Sequence, residues 1–404
     1  MLINIGRKPS SVFGIMSFMN KKALIFSRAT GYGAPQRRID NLVTMLNECG
    51  YVCYVVSFSN NPYKQTVKVN EGLFLVSLGP IKTSFFKKMR GLFFGPCFAR
   101  FAFRTVCPDL AIIYSTIWSK TARFIKGFCK KRSISLIFDV VESRYKPTRL
   151  TPKGYLSYDS QNWMINNRII GAGDKVFCIS HYLESFFRER GAKTFYYPIT
   201  FNPSLEIERK NGGTKTRFLY AGVPDNGRDL IADMVSAFAM LGKNEIDQIE
   251  FYVCGPSMDV LKKEGVKQSD IERLGSSLLI MGKLPVEELY TLMEKIDFTV
   301  LLKDPNKRFS IAGFPTKMAE SFSKKIPMVC NLTGDMAFFA KDMLNAVVCE
   351  TFDSADFSKA LRRAIEIKKS PRIYDRISQA AFDTVLQELN TAKYAALLKD
   401  FLCK

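Results

Sequence analysis

Residues 297–330 read DFTVLLKDPNKRFSIAGFPTKMAESFSKKIPMVC. Two short apolar runs, DFTVLL (297–302) and IPMVC (326–330), flank a polar segment with Gly313, Pro315, Lys317 and Glu320. Runs of this length, bounded by turn signals and separated by a helix-length stretch, read as buried parallel strands joined by a crossover helix. Pro315 suits a first helical turn, and Gly313 and Phe314 just before it offer backbone N–H groups. Lys317 falls within that turn. Glu320, one turn further on, is placed to accept two hydroxyls, as a carboxylate does from a diol. Taken alone, the segment is more commonly a capped helix with two surface charges.

The same alternation extends in both directions. Upstream, apolar runs at 23–27, 51–57, 73–77, 109–114, 134–139, 175–179 and 194–197 alternate with helical patterns at 35–49, 117–131, 159–170 and 181–190. A polar stretch with Pro203, Gly212 and Gly213 interrupts the pattern at 200–216 and reads as a linker. Alternation resumes with 217–221, 249–254, 278–281, 297–302, 327–330 and 345–349, and the tail 372–402 is helical in pattern throughout. The fold class is therefore α/β, with two Rossmann-like domains facing each other across a cleft and closing C-terminal helices. The expected division is an N-terminal extension over 1–18, a first domain over 19–199, the linker, a second domain over 217–385 and a C-terminal helix over 386–404. A chain of 404 residues agrees with two domains of about 150–200 residues each.

In such sheets ligands bind at the carboxyl ends of strands. After the first strand come Gly31 and Gly33, which permit close backbone approach. They make a poor dinucleotide fingerprint: Gln36 stands where a third glycine is needed, and the second strand ends VVSFSN without an acid for a ribose. Arg37 and Arg38 follow on a helix, where they either face a phosphate or, as arginines on a helix face usually are, are solvated. In the second half, FLYAGVPDNGRDLI (218–231) ends a strand at Gly222 and puts Arg228 at a helix mouth. That arginine either meets a diphosphate or pairs with Asp225 or Asp229. Gly282 ends a further strand and can present backbone groups to a base.

The succession G-x-P-x-K-x-x-E followed by SFSKKIPMVCN resembles the sugar-nucleotide site of GT-B glycosyltransferases, especially glycosyltransferase family 4 (group 1). YAGVPDNGRDLI is similar to that group's segment contacting the diphosphate, and IMGKLPVEELYTLMEKIDFTVLL (280–302) to its nucleobase segment. GYGAPQRRIDNLVTMLNECGYVCYVVS and KVFCISHYLESFFRERGAKTFYYPI resemble its N-terminal domain, so the resemblance covers about residues 20–385. It implies a retaining, metal-independent transferase using a nucleotide-diphosphate sugar as substrate, with no further cofactor. Gly222, Arg228, Gly282, Gly313, Phe314, Pro315, Lys317 and Glu320 would bind the donor. Asp139 and Glu142 are the acidic candidates on the acceptor side, and no metal is implied, since no D-x-D occurs in the chain. Two departures stand out. Ala312 replaces the glutamate many relatives carry eight positions before the one matching Glu320, and in FDVVE (138–142) Val141 replaces a histidine. They admit a non-catalytic sugar-nucleotide-binding subunit, and a GT-B sugar-nucleotide epimerase is the other alternative. The single histidine, His181, follows a strand and reads as structural or acceptor-side.

Composition narrows the partners. The ten cysteines are scattered, with no C-x-x-C, which argues against zinc and for reduced thiols in the cytoplasm. The start, with Arg7 and Lys8 before VFGIMSF, only weakly imitates a signal peptide, and no uncharged apolar run reaches the roughly 18 residues of a spanning helix. The net charge of +21 favours polyanions. It interleaves with phenylalanine most densely at KTSFFKKMRGLFFGPCFARFAFRTV (82–106), which is either an interfacial helix or an ordinary helix with a solvated face. Pro96 argues against one continuous helix there. Nucleic acid is not expected, because no binding motif accompanies the charge. The expected partners are a nucleotide-sugar donor and a glycan or lipid-linked acceptor in cell-surface polysaccharide synthesis, with peripheral contact to the inner face of an anionic membrane.

Overall fold

The computed structural model describes residues 21–27, 33–57, 73–77, 84–114, 117–145, 152–202, 213–224 and 227–403. The expected extension over 1–18, Gly31, Asp225 and residues 203–212 of the expected linker lie outside the described residues.

Continuous apolar runs become parallel strands. In the first half these are β1 (Lys21–Ser27), β2 (Tyr51–Ser57), β3 (Leu73–Ser77), β4 (Leu110–Tyr114), β5 (Ser135–Val140), β6 (Lys175–Cys178) and β7 (Lys193–Tyr196). They form one parallel sheet in the order β3-β2-β1-β4-β5-β6-β7. In the second half, β8 (Thr216–Ala221), β9 (Ile249–Cys254), β10 (Leu278–Gly282), β11 (Phe298–Leu301), β12 (Met328–Asn331) and β13 (Ala346–Cys349) form a parallel sheet ordered β10-β9-β8-β11-β12-β13. Each sheet reverses its strand order once, between β1 and β4 and between β8 and β11. Those switch points are where a crevice opens at the carboxyl ends.

The halves share a core. One apolar cluster runs from Leu24, Phe26 and Phe138 of the first sheet to Leu301, Ala312, Phe314, Met318 and Met328 of the second half. The tail is not one helix. The helix Pro371–Glu388 ends, Asn390 pairs with Phe201 in a single bridge, and the helix Thr391–Cys403 turns back onto the first half. There Tyr394, Ala395 and Leu398 pack with Ile39, Leu42 and Leu46 of α1 (Gly33–Glu48). The pairing of Leu389 O with Phe201 N at 2.8 Å takes a carbonyl that a continuing helix would need.

Two sequence expectations are corrected. Helix α2 (Ser84–Val106) is continuous through Pro96. Its Ala99, Ala102, Phe103 and Val106 are buried, and Phe103 stacks on Phe128 of α3 (Ser119–Arg132) at 4.6 Å. Packing of this face offsets the interior proline's cost of about 3 kcal/mol. Arg38 is not solvated; it is 1% exposed. Its guanidinium donates to both Asp139 oxygens at 2.7–3.2 Å and to the carbonyls of Tyr197 and Pro198 at 2.9 and 3.1 Å. Replacing Arg38 by Met would leave Asp139 buried without its cation. The expected loss is about 3–5 kcal/mol, against less than about 1 kcal/mol for Arg37→Met at a part-exposed pair. Denaturant unfolding of the two variants checks this, and equal losses would show that the buried pair is not a structural tie.

Candidate active site in the cleft between the halves

The carboxyl edge of β8 is built around close backbone approach. Gly222 N–H bonds to Cys254 O at 2.9 Å, and Gly255 N–H to Gly282 O at 2.7 Å. A Cβ on Gly255, at φ +115°, would lie 2.1 Å from Gly222 O, so only glycine allows the three strand exits to align. A Cβ on Gly222 would fall 2.4 Å from Lys317 Cε and Nζ. The glycine edge thus makes room for the lysine of the helix Thr316–Phe322.

Lys317 reaches Asp229, whose other oxygen is 3.1 Å from Lys303 Nζ, and Tyr220 O–H donates to Asp229 at 2.9 Å. Lys303 follows β11, so the cluster sits at the β8/β11 switch point. Burial alone would push the Asp229 carboxyl up. The charges of Lys317 and Lys303 prevail and hold it at about 2. Burial lowers the Lys317 ammonium below its usual range, Asp229 opposes that shift, and Lys303 and Arg228 add to it. Two lysines therefore share one buried carboxylate, with the like charge of Arg228 felt at Lys317, and this leaves positive charge over for an anion.

Asp225 lies outside the described residues, and among the described contacts Arg228 is not paired with Asp229. Arg228 instead crosses the cleft to Glu142 at 3.0 Å. Glu142 also binds Arg144 at 2.7 Å and accepts from Tyr158 O–H. Its loop is fixed by Asn162 and Asn166, whose amides donate to Glu142 O at 3.3 and 3.0 Å. Glu320 likewise meets the other half: Arg37 lies at 3.0 Å, Tyr290 O–H donates at 3.2 Å, and Arg37 also binds the tyrosine oxygen.

The remaining sequence candidates divide. Gly33 opens α1 at the first sheet's carboxyl edge. Gly282, at φ +61°, ends β10, two strands from the switch point, with its carbonyl engaged by Gly255. Phe314 turns its ring into the core against Phe339 at 5.5 Å, leaving only its backbone for a ligand. Pro315 precedes the helix rather than opening it, and its carbonyl accepts from Met318 N–H at 3.0 Å. Asp139 is wholly buried on Arg38, away from solvent, with its carboxyl raised by burial against the opposing pull of that arginine. Ala312, where relatives carry a glutamate, is buried, and its carbonyl accepts from Ser180 Oγ at 2.8 Å across the halves. His181 joins the same seam, with Nδ1 3.2 Å from Asp335 and its ring stacked on Tyr196 at 3.9 Å.

Sequence reasoning missed Arg37, Tyr290, Lys303 and the role of Asp229. Lys303 was findable as the second residue past the central strand β11. Arg37 and Tyr290 lie in different halves, and no local pattern joins them.

Residues 215–382 match the family model described as glycosyl transferases group 1. None of the curated proteins matches the chain. Among solved structures, sucrose-phosphate synthase from Thermosynechococcus elongatus is similar at 14% identity and TM-score 0.70, covering 95% of this chain and 98% of that one. HepE from Anabaena in complex with UDP is similar at 13% identity and TM-score 0.66, over 95% and 99% of the two chains. WaaG, a glycosyltransferase involved in lipopolysaccharide biosynthesis, is similar at 13% identity and TM-score 0.64, over 93% and 99%.

The Asp229 cluster has a pH signature. Its folded value of about 2 lies below the 3.8 of a free aspartate, so its contribution is full above pH 4 and vanishes as pH falls toward 2. The difference is worth about 2 kcal/mol. Stability measured against pH should show the gap between wild type and Asp229→Asn narrowing between pH 5 and 2. A constant gap would rule out a charge-based role. The chain has the GT-B fold, and its residues 215–382 match the glycosyl transferases group 1 family model.

Proposed function

We propose that this protein is a glycosyltransferase that moves a sugar from a nucleotide-diphosphate sugar to a glycan or lipid-linked acceptor, in the manner of the retaining family 4 enzymes. The observation that carries the reading is the excess of cations over carboxylates at the β8/β11 switch point: Lys303 and Lys317 share Asp229, and Arg228, paired with Glu142, lies beside them. A departing nucleoside diphosphate gains charge as the glycosidic bond breaks. Fixed cations in a site shielded from water lower that barrier without reorganising. These side chains meet the diphosphate charge in this mechanism, with no bridging ion. The Anabaena relative whose structure holds UDP supports the choice of donor class.

Gly222 and Gly282 line the edge on which the nucleotide lies, and the backbone at Gly313, Phe314 and Pro315 closes it beside Lys317. Glu320 takes ribose or sugar hydroxyls in exchange for Arg37, and Gly33 lies on the acceptor side with Glu142. The protein works at the cytoplasmic face of a membrane in cell-surface polysaccharide synthesis. Its free thiols, six of them buried, accord with a reducing compartment, and no described helix is long and apolar enough to cross a bilayer.

A second reading, a subunit that binds sugar nucleotides without transferring, is favoured by the acids. Asp139 is sealed under Arg38, and Glu142 is held by two arginines and a tyrosine. Release of nucleoside diphosphate only when acceptor is present would exclude it, and would also exclude an epimerase.

A thermal-shift screen against UDP, GDP, dTDP and ADP sugars tests the donor site. One donor class should raise the melting temperature of the wild type. Lys317→Ala and Glu320→Ala should each weaken its apparent affinity about 10- to 100-fold, the range for a lost charge-assisted bond. Equal shifts in wild type and both variants would overturn the assignment.

A further inference from the structure

We propose that the outer face of α2, together with the adjoining basic face of α3, docks the protein on an anionic lipid bilayer. The inference rests on the membrane-side acceptor in the functional reading and supplies the surface that would meet the membrane.

The inner face of α2 is committed to the core, through Ala99, Ala102, Phe103 and Val106. Gly95 lets the helix lie close on α3, since a Cβ there would meet Thr121 Oγ1 at 2.1 Å. The opposite face carries Phe93, Phe94 and Phe101, 53%, 63% and 53% exposed among the described residues. Phe94, Cys97, Phe101 and Arg104 recur at helical spacing on this face, with Arg100 beside them, and all are exposed. Three large rings on one exposed stripe are more than scattered surface apolar residues require.

The charge around the rings is of one sign. Helices α2 and α3 contain eleven lysines and arginines and no aspartate or glutamate, more than half of the net +21 of the whole chain. Of these, Lys126 is paired with Asp174 at 2.6 Å. Lys120 lies 5.1 Å from the Phe93 ring centre, and Arg100 Cζ 5.5 Å from that of Phe124. Cations bordering rings on a helix that lies flat are what an interfacial helix presents, with the rings entering the acyl boundary and the cations meeting lipid phosphates. A single-stranded nucleic acid calls for a groove that tracks its backbone, whereas these rings project from one convex helix. The surface also reaches the working edge. Lys120 belongs to the first turn of α3, just past the carboxyl end of β4, and β4 neighbours β5, which leads to Glu142. A docked protein would face the cleft toward an acceptor held in the membrane.

The test is co-sedimentation of the full chain with vesicles of phosphatidylcholine alone or with 30% phosphatidylglycerol, in low and high salt. Partition is expected only onto the anionic vesicles, falling as salt rises. Each surface cation contributes roughly a fivefold gain, so Arg100→Glu with Arg104→Glu should reduce partition at least about 20-fold. Phe94→Ala with Phe101→Ala should reduce it at least about tenfold. All four positions are exposed, so melting temperatures should hold, which separates lost docking from misfolding. In a Cys107→Ser/Cys403→Ser background, a polarity-sensitive dye on Cys97 should shift to the blue with anionic vesicles. The proposal is overturned if the wild type ignores anionic vesicles at low salt, if the variants partition like wild type, or if the protein binds only heparin or single-stranded DNA. Nucleotide-sugar shifts recorded on the same samples keep the two readings apart. Vesicle binding without any donor shift defeats the donor site alone, and a donor shift without vesicle binding defeats the docking surface alone.

Discussion

Two consecutive arginines on α1 govern how the molecule holds together. Arg38 points into the first domain, where it spans Asp139 at the end of β5 and the carbonyls that follow β7. It also lies 4.1 Å from the Tyr197 ring centre. Burying a guanidinium is costly unless every face of it is matched, and here a carboxylate, two carbonyls and an aromatic ring do so. Once Arg38 is fixed inward, a helix turn of about 100° per residue points Arg37 elsewhere. It emerges at the cleft and meets Glu320 and Tyr290 of the other half. The register of one helix thus sets both the interior of the first domain and a contact across the site.

The cleft has a consistent electrostatic logic. Each charged side chain expected to handle a donor already has a partner: Lys317 has Asp229, Arg228 has Glu142, and Glu320 has Arg37. Two of these pairs join the halves. Such pairs are worth little when part-exposed, so exchanging them for a ligand's phosphates and hydroxyls costs little. The pair with Asp229 differs, because its carboxylate is buried and shared by two lysines. It holds the ammonium groups in place while leaving net positive charge over.

The alternating strands, their order of appearance and the Gly-x-Pro-x-Lys-x-x-Glu helix were legible because each depends on local pattern. Thirteen apolar runs gave thirteen strands, and Lys317 and Glu320 lie where a strand-to-helix turn puts them. What failed did so for non-local reasons. Nothing near Arg38 in sequence announces that Asp139, 101 residues away, will take it into the core. Pro96 argues against a continuous helix by its own chemistry, and only the packed face of Phe103 and its neighbours overrides it. The tail is helical in pattern throughout, and where it breaks is set from outside it, by Phe201, which claims the backbone at Leu389 and Asn390.

The absent glutamate at position 312 acquires a physical account from the same seam. Ala312 is fully buried, and its carbonyl is bound by Ser180 at the start of the helix His181–Arg188. Beside it, His181 and Tyr196 close on Asp335. A glutamate here would bring a charge into a packed junction, and an unpaired buried carboxylate costs several kcal/mol. The small, buried alanine thus suits the close apposition of the halves at this position. What this chain gains at the junction is a rigid seam directly before Gly313 and Phe314, so the backbone that precedes Lys317 is held by both halves at once. On the proposed reading, contacts to the donor that relatives draw from that glutamate fall here to Glu320 and to the fixed backbone beside it.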